Sequence, residues 1–166
     1  MFRRIADFRK SWTADSEATL TVLRALTDAS LGQSVAPGER SLGRLAWHLT
    51  CTLGEMPGHV GIKVDSPAHE SDPPASAAAI ATAYETATRS LLAQLEAWDD
   101  ATLDVEDDMY GQRWTRGFTL HALLEHQIHH RGQMTVLMRQ AGLRVPGIYG
   151  PAREDWASMG MEPPRV

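Results

Sequence analysis

The sequence holds a single cysteine, Cys51, among 166 residues. No intramolecular disulfide can form, and a zinc site built mainly from cysteine is excluded. Basic residues are in the minority too, 16 Lys and Arg against 21 Asp and Glu, for a formal net charge of −5. With no basic stripe either, the electrostatic footprint of a nucleic-acid binder is missing. Long apolar runs are also lacking: none approaches the roughly 20 residues that span a bilayer. The start, Met1-Phe2-Arg3-Arg4-Ile5-Ala6-Asp7-Phe8, has no apolar stretch of the signal-peptide kind. These absences lead us to expect a cytoplasmic protein with no membrane and no nucleic acid among its partners.

What is present is an ordinary globular composition, 43% hydrophobic and 22% charged. The length fits one domain with a real core, expected to span 1–166. Helical spacing of Trp12, Thr19, Leu20, Leu23 and Leu26, after Phe2, Ile5 and Phe8, predicts a long first helix to about Leu26, open to a break near its start. Pro37-Gly38 marks a connecting loop. Ser41 then caps a second helix carrying Leu42, Leu45, His48, Leu49, Thr52 and Leu53, which Pro57-Gly58 should end. Residues 61–76, rich in Pro, Ser, Asp and His, read as an exposed crossover loop.

An Ala-rich third helix follows from Ala77 to Trp98, with Ile80, Tyr84, Leu91, Leu92 and Leu95 inward. Residues 99–117 are polar and irregular, with room for a small hairpin around Tyr110-Gly111. Thr119 is the expected cap of a fourth helix reaching about Gln140, with Gly142 as its C-terminal cap and one short helix from Ala152 to Met159. The fold class is therefore all-α: a four-helix bundle with a long crossover loop and a short C-terminal helix.

The fourth helix contains His126-Gln127-Ile128-His129-His130-Arg131-Gly132-Gln133. His126 and His130 are four apart, about 40° around the helix, on a face shared with Leu123, Gln133 and Leu137. Burying two neutral imidazoles without partners is costly, and a cation accepting both lone pairs removes that cost. A spacing of three also lets His126 and His129 share a side, so spacing alone leaves the pair open. His48, between Leu45 and Thr52 on the buried stripe of helix two, offers a third imidazole. Taken singly, a histidine there is more often a hydrogen-bonded core residue.

Other residues carry weaker signals. His121, Glu125 and His129 form another face, read as a solvated or dimer-facing stripe in which Glu125 pairs with His129. His59 and His69 fall in loops and are not counted as ligands. Cys51 reads first as a small buried hydrophobe and second as a fourth ligand or redox thiol. Arg131 suits an acidic substrate group, and equally a nearby carboxylate or a dimer interface. Gly132 is expected to permit close helix packing, and Trp47 to fill the core with pocket lining as the alternative. Glu55, two turns beyond His48, is the nearest general-base candidate and otherwise a surface charge at the helix end.

Three stretches together resemble the DinB-like (DinB/YfiT) superfamily: Leu42-Gly43-Arg44-Leu45-Ala46-Trp47-His48-Leu49, His126-x-x-x-His130-Arg131-Gly132-Gln133, and Val145-Pro146-Gly147-Ile148-Tyr149-Gly150-Pro151. The opening helix, with Trp12, Ser16 and Thr19-Leu20, is similar as well. The resemblance implies a four-helix bundle, often dimeric, that holds a divalent metal through His48, His126 and His130, setting His129 aside. Zinc is the first choice of metal, since three imidazoles leave a position open; nickel or another transition metal is the alternative.

The resemblance further implies an enzyme that transfers a low-molecular-weight thiol of the bacillithiol, mycothiol or glutathione type to an electrophile. A thiol at the metal ionises near neutral pH without a protein base, leaving Arg131 and Glu55 as secondary catalytic candidates. The alternatives are a hydrolase using hydroxide formed at the same metal, or a non-catalytic metal-binding stress protein.

Overall fold

Four stretches of apolar residues at helical spacing become four long helices in the computed structural model, which describes residues 2–165. They are α1 (Ile5–Arg24), α2 (Leu42–His59), α3 (Ala77–Gln94) and α4 (Arg116–Gln140). α1 runs unbroken, and its inward stripe of Phe8, Trp12, Val22 and Leu23 is fully buried. Phe8 and Trp12 stack with ring centroids 5.7 Å apart. Ser41 caps α2 by accepting the Arg44 N–H at 3.2 Å, and Ser76 caps α3 in the same way through Ala79. Asp28, from the α1–α2 connection, also accepts the Ala77 N–H at 2.7 Å and so ties that connection to the start of α3.

Each helix packs against two others. α2 lies against α3 and α4, and α1 against the same two, so α1 and α2 stand on one diagonal. Buried Ala77, Ala81 and Ala87 give α3 a flat face. The core fills with Leu42, Leu53, Ile80, Leu91, Leu120 and Leu123. Among the described residues no helix is long and apolar enough to cross a membrane.

Between α3 and α4 lies a hairpin of β1 (Glu106–Met109) and β2 (Gln112–Thr115), paired antiparallel with Met109 opposite Gln112. Its two-residue turn is the expected Tyr110-Gly111, both at positive φ, 57° and 78°. That conformation matches the right-handed twist of the strands it joins.

Four boundaries differ from expectation, the first being that α3 ends at Gln94 and passes into a 3-10 turn, Leu95–Ala97, instead of running to Trp98. β2 runs directly into α4, so Thr115 rather than Thr119 is the cap, accepting the Phe118 N–H at 3.2 Å. Thr119 is buried within the first turns. α2 continues past Pro57 to His59, because a proline in the last turn forfeits only one helix hydrogen bond. His59 therefore ends a helix instead of sitting in a loop. The short C-terminal helix consists of two 3-10 turns, Arg153–Asp155 and Ala157–Met159. Gly142, at φ 74°, closes α4 as anticipated.

Candidate metal centre

α2 and α4 face each other, and that packing brings His48 to the two α4 histidines. His48 Nε2 lies 3.1 Å from His126 Nε2, which lies 3.1 Å from His130 Nε2. All three nitrogens fall within 4.8 Å of one another. Three ligands about 2.0–2.1 Å from a tetrahedral cation stand roughly 3.3 Å apart, so the spacing fits one ion.

The protons argue the same way. His130 Nδ1 is 2.6 Å from Gln133 Oε1, and a carbonyl oxygen only accepts, so the ring hydrogen sits on Nδ1 and Nε2 is bare. His126 Nδ1 is buried without a hydrogen-bond partner. His126 Nε2 carries either one hydrogen or one lone pair, so it can pair with only one of its two imidazole neighbours and leaves the other nitrogen unsatisfied. A cation between the three nitrogens satisfies them all.

Burial, reinforced by the charges of His130, Arg40 and His69, pulls the His48 pKa down to about 4. Burial and the facing imidazoles pull His126 down to about 3. His130 is lowered by burial, against a smaller opposing effect of its bond to Gln133. All three are thus neutral near pH 7, the form in which imidazole binds metal.

The histidine shelf has open space on two sides. A cavity of about 360 Å³ meets His48, with Trp47, Cys51, Arg44 and Ser71 in its wall. A second, also about 360 Å³, meets His130 and is walled by Val35, Leu45, Val136 and Leu137. Trp47 is both core and lining: it is buried, and its indole N–H donates to Ser71 Oγ at 3.0 Å. Cys51 is buried with its thiol 3.8 Å from Ser71 Oγ, burial raises its pKa, and it stands outside the nitrogen cluster.

The remaining candidates lie elsewhere. Arg131 turns away from the shelf, buried against Asp15 Oδ1 at 2.8 Å, the Asp15 carbonyl at 2.9 Å, Thr19 Oγ1 at 3.0 Å and the Tyr149 hydroxyl. Of its readings, the nearby carboxylate is the one observed. Glu55 stands 2.9 and 3.0 Å from the Tyr110 hydroxyl, which donates to its carboxylate, and 3.2 Å from His59 Nε2, so it is engaged by the hairpin tip and the end of α2. His129 is exposed and meets Gln133 Nε2 at 3.1 Å, while Glu125 pairs with His121 instead of His129. Gly132 is exposed with nothing within 4 Å of an added Cβ, so no packing within the chain requires it.

Two residues that sequence reasoning gave no role stand beside the shelf. Gln133, three positions after His130, was readable from helical spacing. Arg40 comes from the loop before α2, and no local pattern announces it.

Known proteins share this architecture. The profile of the DinB family matches residues 1–165. The uncharacterized protein YrdA of Bacillus subtilis (strain 168) is 43% identical over 167 residues, covering 100% of both chains. A crystal structure of a DinB-like protein from Bacillus cereus ATCC 10987 is 41% identical, covers 90% of this chain and 100% of its own, and superposes with a TM-score of 0.87. A structure of the DinB-like protein YjoA from Bacillus subtilis gives a TM-score of 0.62 over 88% and 99% of the two chains. At 19% identity, that second likeness speaks for the fold alone.

Proposed function

The chain belongs to the DinB family, and on that footing we propose that it is a divalent-metal protein that transfers a small thiol to an electrophile. The observation that carries the reading is the convergence of three neutral Nε2 atoms beside open cavities. His48, His126 and His130 would hold the ion, zinc first and nickel as the alternative. A bound divalent cation would lower the pKa of a thiol reaching it, so that its proton passes to solvent near neutral pH. The thiolate sulfur would bond to the electrophilic carbon as the leaving group departs with its electron pair.

The chain's own residues do the rest. Gln133 fixes the His130 tautomer so that its lone pair faces the shelf. On the His48 side Trp47 and Cys51 stand among Arg40, Arg44 and Ser71, a largely polar wall that suits a polar low-molecular-weight thiol. Glu55 is committed to Tyr110 and His59, and a transferred thiol needs no such base, which favours S-transfer over hydrolysis. The proposal includes a homodimer working on soluble small molecules in the cytoplasm.

Metal analysis of the purified protein beside His48→Ala and His126→Ala tests the site. We expect near-stoichiometric metal in the wild type and its loss in both folded variants; retention by both overturns the three-histidine centre. Incubation of the metal-loaded protein with an electrophile and a panel of low-molecular-weight thiols tests the reaction. Thiol-dependent turnover is expected. Metal-dependent ester or amide cleavage without it moves the assignment to hydrolase, and no turnover of either kind leaves a metal-binding protein.

A further inference from the structure

Arg40 occupies an unusual position for a loop residue. It lines both the cavity against His48 and the cavity against His130. Its positive charge acts on all three imidazoles. Yet among the described residues Arg40 has no hydrogen bond and no ion pair. Arg44, the other arginine nearby, is spent: its guanidinium donates to Asp72 Oδ1 and to the Ser71 carbonyl, each at 2.9 Å.

An unpaired cation beside three nitrogens that would hold a second cation is placed to receive an anion between them. Like charges repel, and a carboxylate between them turns the repulsion into attraction. The shape of the site limits which anion. Glu39 is in the wall of one cavity and Glu70 in the wall of the other. Against Arg40 and the divalent ion the histidines would hold, they leave one positive charge over, which suits one negative charge better than two. The cavity against His130 is also apolar where it runs past Arg40, along Val35, Leu45, Val136 and Leu137.

We infer that Arg40 is the anion-recognition residue of this site, and that the ligand it selects is a small amphipathic monocarboxylate. The carboxylate takes the guanidinium fork, and the hydrocarbon part lies along Val35, Leu45, Val136 and Leu137. Resting on the thiol-transfer reading, this gives the two cavities separate tasks. The acid-bearing electrophile fills the apolar one, and the thiol reaches the histidines from the polar one beside His48.

The test is direct binding, which needs no turnover. Hexanoate, hexanol and inorganic phosphate are titrated into the protein as purified and into metal-stripped protein, followed by heteronuclear NMR at Arg40, Val136 and Leu137. The same is done for Arg40→Gln and Arg40→Lys; Arg40 is exposed and unpaired, so neither substitution threatens folding. We expect hexanoate to shift all three residues and to bind roughly ten-fold or more weakly to Arg40→Gln, with Arg40→Lys between, as loss of a charge-assisted pair implies.

Hexanol should bind more weakly than hexanoate to the wild type and equally to both variants. Equal hexanoate affinity in wild type and Arg40→Gln overturns the inference, as does phosphate binding more tightly than hexanoate. Metal content measured on the same samples keeps failure of the metal site separate from failure of the Arg40 assignment.

Discussion

Removing the Gln133 amide would leave three imidazoles in place yet free His130 to take either tautomer. Partners that orient a ligand histidine commonly account for 10–100-fold in metal affinity. We therefore expect Gln133→Leu to bind metal roughly 10–100-fold more weakly with its helical circular dichroism unchanged, measured by competition with a chromogenic chelator. Unaltered affinity would show that the 2.6 Å contact does not orient the ring. Arg131 is the contrasting neighbour. Its side chain is 3% exposed and that of Asp15 14%, so removing one partner strands a buried charge. Arg131→Met should cost about 3–5 kcal/mol in urea unfolding, and pairing it with Asp15→Leu should restore much of the loss. A cost below about 1 kcal/mol for the single variant would mean the pair behaves as a surface bridge.

At the scale of elements, the entry to α4 decides how the hairpin meets the bundle. A Cβ on Gly117 would lie 3.2 Å from the Leu103 and Phe2 carbonyl oxygens. Gly117→Ala must therefore push backbone aside, and we expect a loss of about 1–3 kcal/mol despite alanine's better helix propensity. Thr115→Ala should cost about 1 kcal/mol through the lost cap, whereas Thr119→Val should cost less, since that hydroxyl only doubles up on the Thr115 carbonyl at 3.3 Å. Thermal or urea unfolding of the three variants ranks them, and a larger loss at Thr119→Val would restore Thr119 as the cap.

These same residues show what the sequence discloses. Ser41, Gly142 and Tyr110-Gly111 act locally, through caps and turns whose chemistry lies within four residues, and each was legible. Thr119, followed by Leu120, read as the cap, whereas Thr115 is followed by Arg116, and Gly117 closed a stretch read as polar and irregular. Its actual reason is contact with Leu103 and Phe2, distant along the chain. The centre divides similarly. His126 and His130 follow from helical spacing, but excluding His129 needs a facing helix, and here α2 supplies it. Arg40 reaches the shelf only through the path of its loop, which no periodicity records.

For the whole molecule, the three depressed histidines make stability depend on pH. Unfolded, each protonates near about 6.5; folded, His48 does so at about 4 and His126 at about 3. Below about 6.5 the unfolded chain therefore holds more protons than the folded one. Stability is full above that pH and falls as the pH drops through the folded values. Metal-free protein should show a falling thermal midpoint from pH 6.5 towards pH 4, as those shifts require. His48→Gln/His126→Gln should give a flatter profile; an equally steep one would assign the acid sensitivity to other groups.

His48 and His126 are 78 positions apart in the chain, and the shelf joins them across the α2–α4 seam. An ion gripped by both is a removable stitch closing most of the length between two helices. The stitch can tighten only after α2 and α4 have met, so it is absent from the barrier to folding and present in the barrier to unfolding. Chelation should leave the refolding rate alone while unfolding accelerates. The supply of metal would then set how long each folded molecule survives, independently of any reaction at the site.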